Sequence, residues 1–280
     1  MAGSVEETSV LYEIILIYFA TGALAGFVSG MFGVGGAFTM APILIIGLPL
    51  QGVPEHHVMH LSVGTSLAVM FTTSAYVAIL RYRIGDLQLP LTFRFVPYII
   101  IGAVGGSLFG DFLPGDILKI IFMGFIALTI ARGVFYKGHE TVATGGDLDA
   151  VRGPGLWFHG VLTGITGSLL GPGPAIVIGP YLRKRRYTMP MVSAAASALA
   201  GLLGLSAAAG YVYGGINETG LPNLSVGFLY IPAAAGLAAG ALVGSPFGIR
   251  ASHKIPDILL HRMFIGYLAF ILTVMLIWGR

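Results

Sequence analysis

Two glycine-rich stretches of this chain can bind an anion through backbone N–H groups. They read FGVGGAFTMAPIL at residues 32–44 and LGPGPAIVIGPYL at residues 170–182. Equivalent places are taken by Gly33, Gly35, Gly36 and Ala37 in the first stretch and by Gly171, Gly173, Pro174 and Ala175 in the second. Glycine tolerates a positive φ and lets a ligand approach the main chain closely. A helix that starts after such a turn presents free N–H groups and the positive end of its dipole, and both attract negative charge.

Hydroxyl groups that follow each stretch can complete the shell around such an anion. Thr65 and Ser66 lie in the apolar segment after the first stretch, and Ser193 and Ser197 lie in the segment after the second. The sequence GTS at residues 64–66 aligns with AAS at residues 195–197. The four hydroxyl residues are therefore predicted to belong to the same binding site as the glycines.

The composition of the chain is that of a membrane protein. Of its 280 residues, 56% are hydrophobic and 10% are charged, and the mean hydropathy is +0.88. Soluble domains carry about 25% charged residues. A helix needs roughly 20 residues to cross a bilayer, and apolar runs near this length occur at residues 11–31, 60–80, 91–109, 117–135, 230–247 and 259–278. The expected fold is an all-α polytopic membrane protein.

The duplication extends over the whole chain. LPGDILKIIFMGFIA from residue 113 resembles IPDILLHRMFIGYLA from residue 255. Glycines spaced by four residues, which are typical of close helix packing, recur as Gly102, Gly106 and Gly110 and as Gly236, Gly240 and Gly244. Residues 1–136 and 154–280 are therefore interpreted as two membrane repeats, joined by a charged linker at residues 137–153.

The first repeat contains a segment that is too short to cross the membrane. Residues 37–50 provide about 14 residues, against the roughly 20 that a span requires. This length predicts a glycine-broken hairpin whose apex lies inside the membrane. Each repeat then has five helical segments, the second repeat is inverted relative to the first, and the half-helices after Gly36 and Pro174 point toward each other near the midplane.

This topology places the basic inter-helix residues on one side of the membrane. They are Arg81, Arg83, Lys137, Arg152, Arg183, Lys184, Arg185, Arg186, Arg250 and Lys254. By the positive-inside rule that side is cytoplasmic, so the linker is predicted in the cytoplasm and both termini outside it. The net charge of +3 is thereby explained by membrane orientation, and no nucleic-acid partner is expected.

Three ionisable residues close to membrane segments are candidates for proton coupling, namely His159, His261 and Arg262. Histidine titrates near physiological pH, and ionisable groups inside membrane segments are costly and often functional. His57 and His60 are interpreted as interfacial residues instead. The sequence contains no cysteine, no HExxH pattern and no GxxxxGK[ST] loop, so no metal, cofactor or direct use of ATP is expected.

The order of motifs resembles that of the sulfite exporter TauE/SafE family. The motifs are FGVGGAFTMAP, the following GTS, the GD at residues 85–86 and the degenerate second copy. The resemblance implies secondary transport of sulfite, sulfonates such as sulfoacetate or related organic acids, driven by proton or charge gradients. The expected location is the cytoplasmic (inner) membrane of a prokaryote. Pro174 stands where the first copy has Gly36, so the two half-sites are chemically unequal.

Three functions remain open from the sequence. The leading hypothesis is a secondary transporter that moves a small sulfur-containing anion by alternating access of the two repeats. The alternative is an anion channel that uses the same helix breaks as a static filter. A membrane-embedded enzyme is the third, and it is disfavoured because no catalytic constellation is evident. The expected partners are the anion and the lipid bilayer, and the oligomeric state, a homodimer included, is left open.

Overall fold

The computed structural model describes residues 2–111, 113–134, 146–171 and 173–278. Over these residues it contains ten helices and one two-stranded hairpin. The helices are α1 Ala2–Phe32, α2 Ala37–Leu50, α3 Glu55–Arg83, α4 Leu89–Asp111, α5 Gly115–Val134, α6 Pro154–Leu170, α7 Ala175–Arg183, α8 Met189–Gly214, α9 Ile231–Lys254 and α10 Asp257–Trp278. The strands β1 Ser225–Val226 and β2 Leu229–Tyr230 pair antiparallel just before α9.

The helix lengths confirm the predicted all-α polytopic membrane fold. Six helices of the described chain, α1, α3, α4, α5, α8 and α9, are long and apolar enough to cross a bilayer. Large apolar side chains cover the outside of the bundle, as Leu16, Phe93 and Phe270 illustrate with exposures of 67%, 65% and 66%. Such a surface is stable against lipid tails and is costly in water.

The helices that follow the two glycine-rich stretches are too short to span the membrane. Helix α2 has 14 residues and α7 has 9, which correspond to lengths of about 21 and 14 Å. The hydrocarbon core of a bilayer is about 30 Å thick. Both are therefore half-helices, and the predicted interruption of the helical pattern occurs at both places.

The first helix of each half of the chain packs along the fourth helix of the other half. Helix α1 packs along α9, α6 packs along α4, and α3 packs against α8 at the centre. Glycines form the first two contacts: a methyl group at Gly240 would lie 2.0 Å from the carbonyl oxygen of Phe19, and one at Gly102 would lie 2.3 Å from that of Val161. The packing interpretation of the four-residue glycine spacing is confirmed at both positions. The inverted orientation of the repeats stays a prediction.

The basic loops meet at one end of the bundle. Asp86, in the loop after α3, contacts Arg81 at 2.9 Å and His253 of α9 at 3.1 Å. Arg185, after α7, donates to the Ala150 carbonyl at 2.7 Å. We call residues 81–94, 147–154, 183–191 and 250–256 the basic end. This grouping agrees with the predicted one, except that Lys137 lies outside the described residues.

Residues 51–57 and 215–230 meet at a second place, which we call the hairpin end. Here the ring of His57 lies 3.0 Å from the carbonyl oxygen of Thr219. His57 and His60 are only 4% and 8% exposed, and the His60 ring lies 5.1 Å from that of Phe228. Both histidines are thus buried in protein, because the hairpin folds over the start of α3, and their interfacial position in the membrane stays a prediction.

Candidate anion-binding site at the two helix breaks

The first break consists of four residues that leave the helical conformation. Gly33, Gly35 and Gly36 have φ values of 71°, 83° and 79°, a region that side chains disfavour. The Gly33 amide still donates to the Ser29 carbonyl at 2.8 Å. Backbone hydrogen bonds begin again at the Thr39 amide, which donates to the Gly36 carbonyl at 3.0 Å. Among the described residues, the amides of positions 34–38 make no backbone hydrogen bond. Five consecutive donors are therefore available at the N-terminus of α2.

The second break has the same form with fewer donors. Helix α6 ends with Gly171 at φ 76°, and its amide bonds back to Gly167 at 2.9 Å. Pro174 precedes α7 with φ −53° and has no N–H to offer. Within the described part of this break, the amides of Gly173 and Ala175 make no backbone hydrogen bond. The two half-sites therefore differ in donor number, as the exchange of Gly36 for Pro174 predicts.

The two breaks touch each other in the middle of the protein. A methyl group at Gly173 would lie 1.9 Å from the carbonyl oxygen of Val34, and one at Gly171 would lie 3.1 Å from the Cβ of Ala37. The start of α2 and the start of α7 are thus neighbours, although 138 residues separate Ala37 from Ala175. Two positive dipole ends meet at one point, which is an arrangement suited to a negative solute.

Ser193 of α8 lies directly at the first break, and Ser197 lies one turn further along the helix. A methyl group at Gly33 would be 2.6 Å from the carbonyl oxygen of Ser193 and 2.7 Å from its hydroxyl. That hydroxyl is buried and has no hydrogen-bonding partner among the described residues. Ser197 instead donates to the Ser193 carbonyl at 2.8 Å. Ser193 is therefore available to a ligand, whereas Ser197 supports the backbone of its own helix.

The two hydroxyl residues of α3 have different surroundings. Thr65 accepts a hydrogen bond of 3.0 Å from the Tyr230 amide and so holds strand β2 against α3. The Ser66 hydroxyl is buried and has no partner within the part of the chain that is described. Of this pair, Ser66 fits a ligand-binding role better, because the Thr65 oxygen already serves the hairpin.

Ser66, which the sequence analysis named, belongs to a row of polar residues along α3 whose other members it overlooked. The hydroxyls of Ser62, Ser66, Thr73 and Ser74 are buried without a partner in the described structure. Met70 lies in the same row, and its Sδ would be 2.6 Å from a methyl group at Gly35. Their spacing of three and four residues is that of one helix face, and this spacing could have revealed the row. We call these four hydroxyl residues the α3 polar row.

The breaks are tightly closed by their surroundings. Phe38 and Met40 are fully buried, Val34 is 1% exposed, and Met70 covers Gly35. Binding of an anion between the breaks therefore requires α2 and α7 to separate. Over the residues described, no group of three His, Asp or Glu side chains can hold a metal ion.

The three candidates for proton coupling lie on two different helices, α6 and α10. His159 lies in the first turns of α6, where Nδ1 contacts the Gly155 carbonyl at 2.7 Å and the ring packs 4.5 Å from that of Tyr181. Arg262 is exposed on α10, and the side chain of His261 lies outside the described residues. A role for these three residues in proton coupling stays a prediction.

Comparison with known proteins agrees with this architecture. A family model described as sulfite exporter TauE/SafE matches residues 18–275. The chain belongs to this family. Its match therefore covers both helix breaks and all ten helices in whole or in part, and the resemblance inferred from the glycine-rich motifs is confirmed.

Curated relatives of this family member carry transporter names. A probable membrane transporter protein of Haemophilus influenzae is 28% identical over 92% of this chain and 96% of its own length. One from Methanocaldococcus jannaschii is 28% identical over 84% and 85%, and one from Bacillus subtilis is 31% identical over 41% and 43%. No solved structure matches the chain. Together with the apolar helices, these relatives identify a multi-pass protein of a membrane transporter family.

Proposed function

We propose that this protein is a secondary transporter of a small sulfur-containing anion, such as sulfite or a sulfonate like sulfoacetate. The anion binds between the N-termini of α2 and α7, and alternating access of the two repeats moves it across the membrane. The backbone donors are those of Gly35, Gly36 and Ala37 on one side and Gly173 and Ala175 on the other. The hydroxyls of Ser66 and Ser193 complete the site.

One observation carries this proposal: the two helix breaks meet, with Gly173 seated against the Val34 carbonyl. Unbonded N–H groups in a membrane interior cost several kcal/mol each, unless they line a cavity or bind a solute. Their position at two adjoining dipole ends favours a solute with negative charge. The family match adds sulfur oxyanions as the expected class, and the protein needs no fixed cation at the breaks to bind them.

The closed state of the breaks favours a transporter over a channel. A static filter requires a continuous opening, whereas the Gly173 region and Val34 are in van der Waals contact and Met70 covers Gly35. A site that must open before it binds is the form expected of alternating access. An outward-moving anion gains about 2.3 kcal/mol per charge for each 100 mV of inside-negative potential, so export can proceed without a coupled proton.

The orientation in the membrane follows from the basic end. We assign this end to the cytoplasm because it carries the arginine-rich loops, including Arg83 and Arg186. Both termini then lie outside the cytoplasm of a prokaryotic cell, in its inner membrane. A single-cysteine scan suits this assignment, because the native chain contains no cysteine. In intact cells, thiols introduced at the basic end of the protein should react with an added thiol reagent only after the cells are permeabilised.

Flux measurements in proteoliposomes test the function. Radiolabelled sulfite and sulfoacetate should enter vesicles in a saturable manner, and unlabelled anion on the opposite side should stimulate exchange. The Gly35→Val variant should lose this flux because of its φ of 83° and its contact with Met70. Gly105→Val is the matched control, because no atom lies within 4 Å of its added Cβ.

Each outcome distinguishes the candidate functions. Saturable exchange in the native protein and in Gly105→Val, but not in Gly35→Val, supports the transporter. If the protein conducts the anion and unlabelled anion on the opposite side does not stimulate flux, the protein is a channel and not a transporter. If neither anion moves under any gradient, the assignment to sulfur anions is wrong.

A further inference from the structure

Arg81 is a charged side chain that lies entirely inside the protein. It lies in the last turn of α3 at the basic end, and its exposure is 0%. Its Nη2 donates to the Gly30 carbonyl at 2.8 Å and to the Ser252 hydroxyl at 3.2 Å. Its Nη1 donates to Asp86 at 2.9 Å and, more weakly, to the Pro190 carbonyl at 3.4 Å. The guanidinium therefore touches α1, the loop after α3, α8 and α9.

One donor of this guanidinium is left without an acceptor. Nε of Arg81 is buried and has no hydrogen-bonding partner among the described residues. An unsatisfied buried donor is unfavourable in a purely structural arginine. The guanidinium fork is instead well suited to oxyanions, which it binds through two parallel hydrogen bonds.

A small cavity lies between Arg81 and the end of α1, next to the first helix break. Its lining includes Arg81, Phe32, Pro190, Ser193 and Ser252. Its volume is about 10 Å³, close to the least that holds one water molecule. Ser193 borders this cavity and also lies against Gly33, and its hydroxyl is unpartnered. Arg81 and Ser193, each with one donor that has no partner among the described residues, thus line the same cavity.

Asp86 is the partly exposed partner of the buried Arg81. Its carboxylate is 15% exposed and contacts Arg81 through a single oxygen. The same oxygen lies 3.1 Å from Nε2 of His253, whose side chain is 41% exposed. A solute that approaches from the basic end therefore reaches His253 first, then Asp86, then Arg81.

We propose that Arg81 is an anion subsite at the mouth of the transport path on the basic end, and that the Asp86 carboxylate competes with the transported anion for Arg81. This inference rests on the proposed function and deepens it. The carboxylate occupies the guanidinium when the path is empty. An entering sulfur oxyanion displaces Asp86 from Arg81 and passes along Ser193 to the Gly33 break. Asp86 remains paired with His253.

Equilibrium binding of sulfite to the purified full-length protein tests this subsite. Asp86→Asn keeps an acceptor for Arg81 but removes the competing charge, so sulfite should bind roughly tenfold more tightly. Arg81→Lys keeps the charge but loses the fork, so binding should weaken by about tenfold. The matched control is Asp149→Asn, because Asp149 is an exposed carboxylate of the same end that pairs with Arg152 at 2.8 Å. It should bind sulfite as the native protein does.

A thiol-protection measurement keeps the test independent of these charge changes. Ser252→Cys places the only thiol of the chain beside Arg81, and Lys254→Cys places one on the exposed surface two residues away. Sulfoacetate should slow modification of the thiol at position 252 and leave the rate at position 254 unchanged. Size-exclusion profiles and melting temperatures check that each variant is folded.

The results separate this inference from the proposed function. If the native protein binds sulfite but Asp86→Asn binds it no more tightly than Asp149→Asn does, the competitor role is wrong. The subsite is wrong if Arg81→Lys binds normally or if position 252 is not protected in a protein that binds sulfoacetate. If the native protein binds neither anion, the proposed function fails and this inference fails with it.

Discussion

Replacement of Gly173 by alanine tests the junction between the helix breaks most directly. The added methyl group would lie 1.9 Å from the carbonyl oxygen of Val34, whereas ordinary contact begins at 3.4 Å. The neighbour is backbone, so no side-chain rotation can relieve the clash. The φ of Gly173 is not among the positive values, and the substitution therefore adds volume without backbone strain. Helices α2 and α7 must move apart.

The required movement is large on the scale of a hydrogen bond. A displacement of about 1.5 Å moves a donor at 2.9 Å beyond bonding distance. A hydrogen bond to a charged group contributes about 1.5–3 kcal/mol. If two such bonds to the anion are lost, binding should weaken by at least about 100-fold. The overpacked junction should also lower the free energy of unfolding by about 1–3 kcal/mol.

The assay is sulfite binding and flux in Gly173→Ala, with Gly124→Ala as control. Gly124 lies in α5, and nothing is within 4 Å of its added Cβ. The control should bind and transport as the native protein does, and both variants should elute as folded protein in detergent. Native affinity in folded Gly173→Ala would refute the placement of the anion between the two breaks.

Three further outcomes are expected. In Gly240→Val the added Cβ would lie 2.0 Å from the carbonyl oxygen of Phe19, so the variant should yield no folded protein. Expression yield and size exclusion measure this, and a folded variant contradicts the packing role of Gly240. His159→Gln should abolish stimulation of flux by a pH gradient, because the amide of glutamine cannot take up a proton as an imidazole can; unchanged stimulation excludes His159 from proton coupling. Burial raises the pKa of Tyr187 above its usual 10. The folded protein therefore holds this proton more tightly than the unfolded chain, and stability present below pH 10 declines as the pH rises toward the native pKa. When the free energy of unfolding is measured from about pH 9 to 12, Tyr187→Phe should show a smaller decline than the native protein. An identical decline in both proteins contradicts the assignment to Tyr187.

The local interruptions of the helices were predictable from the sequence. Glycine and proline disfavour the helical conformation, and where they cluster, around Gly35 and Gly173, they end α1 and α6. Membrane insertion was equally predictable, because it depends on the summed hydropathy of each segment. The half-helix α2 followed from the length of its segment, and α7 followed from the duplication of the glycine-rich motif.

The role of individual polar side chains was less predictable. Thr65 and Ser66 are neighbours in sequence, yet Thr65 bonds to Tyr230 and Ser66 remains unpartnered. The difference arises because the β1–β2 hairpin, more than 150 residues away, covers one face of α3. A helix places adjacent residues about 100° apart, so adjacent hydroxyls meet different partners.

Arg81 shows the same limit for charge. In the sequence it belongs to a row of loop cations that sets orientation, and in the structure it is fully buried among α1, α8 and α9. The sequence by itself determined the membrane class, the helix breaks and the family, because these depend on composition and local backbone preference. Only the tertiary structure decided that Gly173 meets Val34 and that Arg81 borders the cavity beside Ser193. Both contacts join distant parts of the chain, and they depend on how whole helices pack.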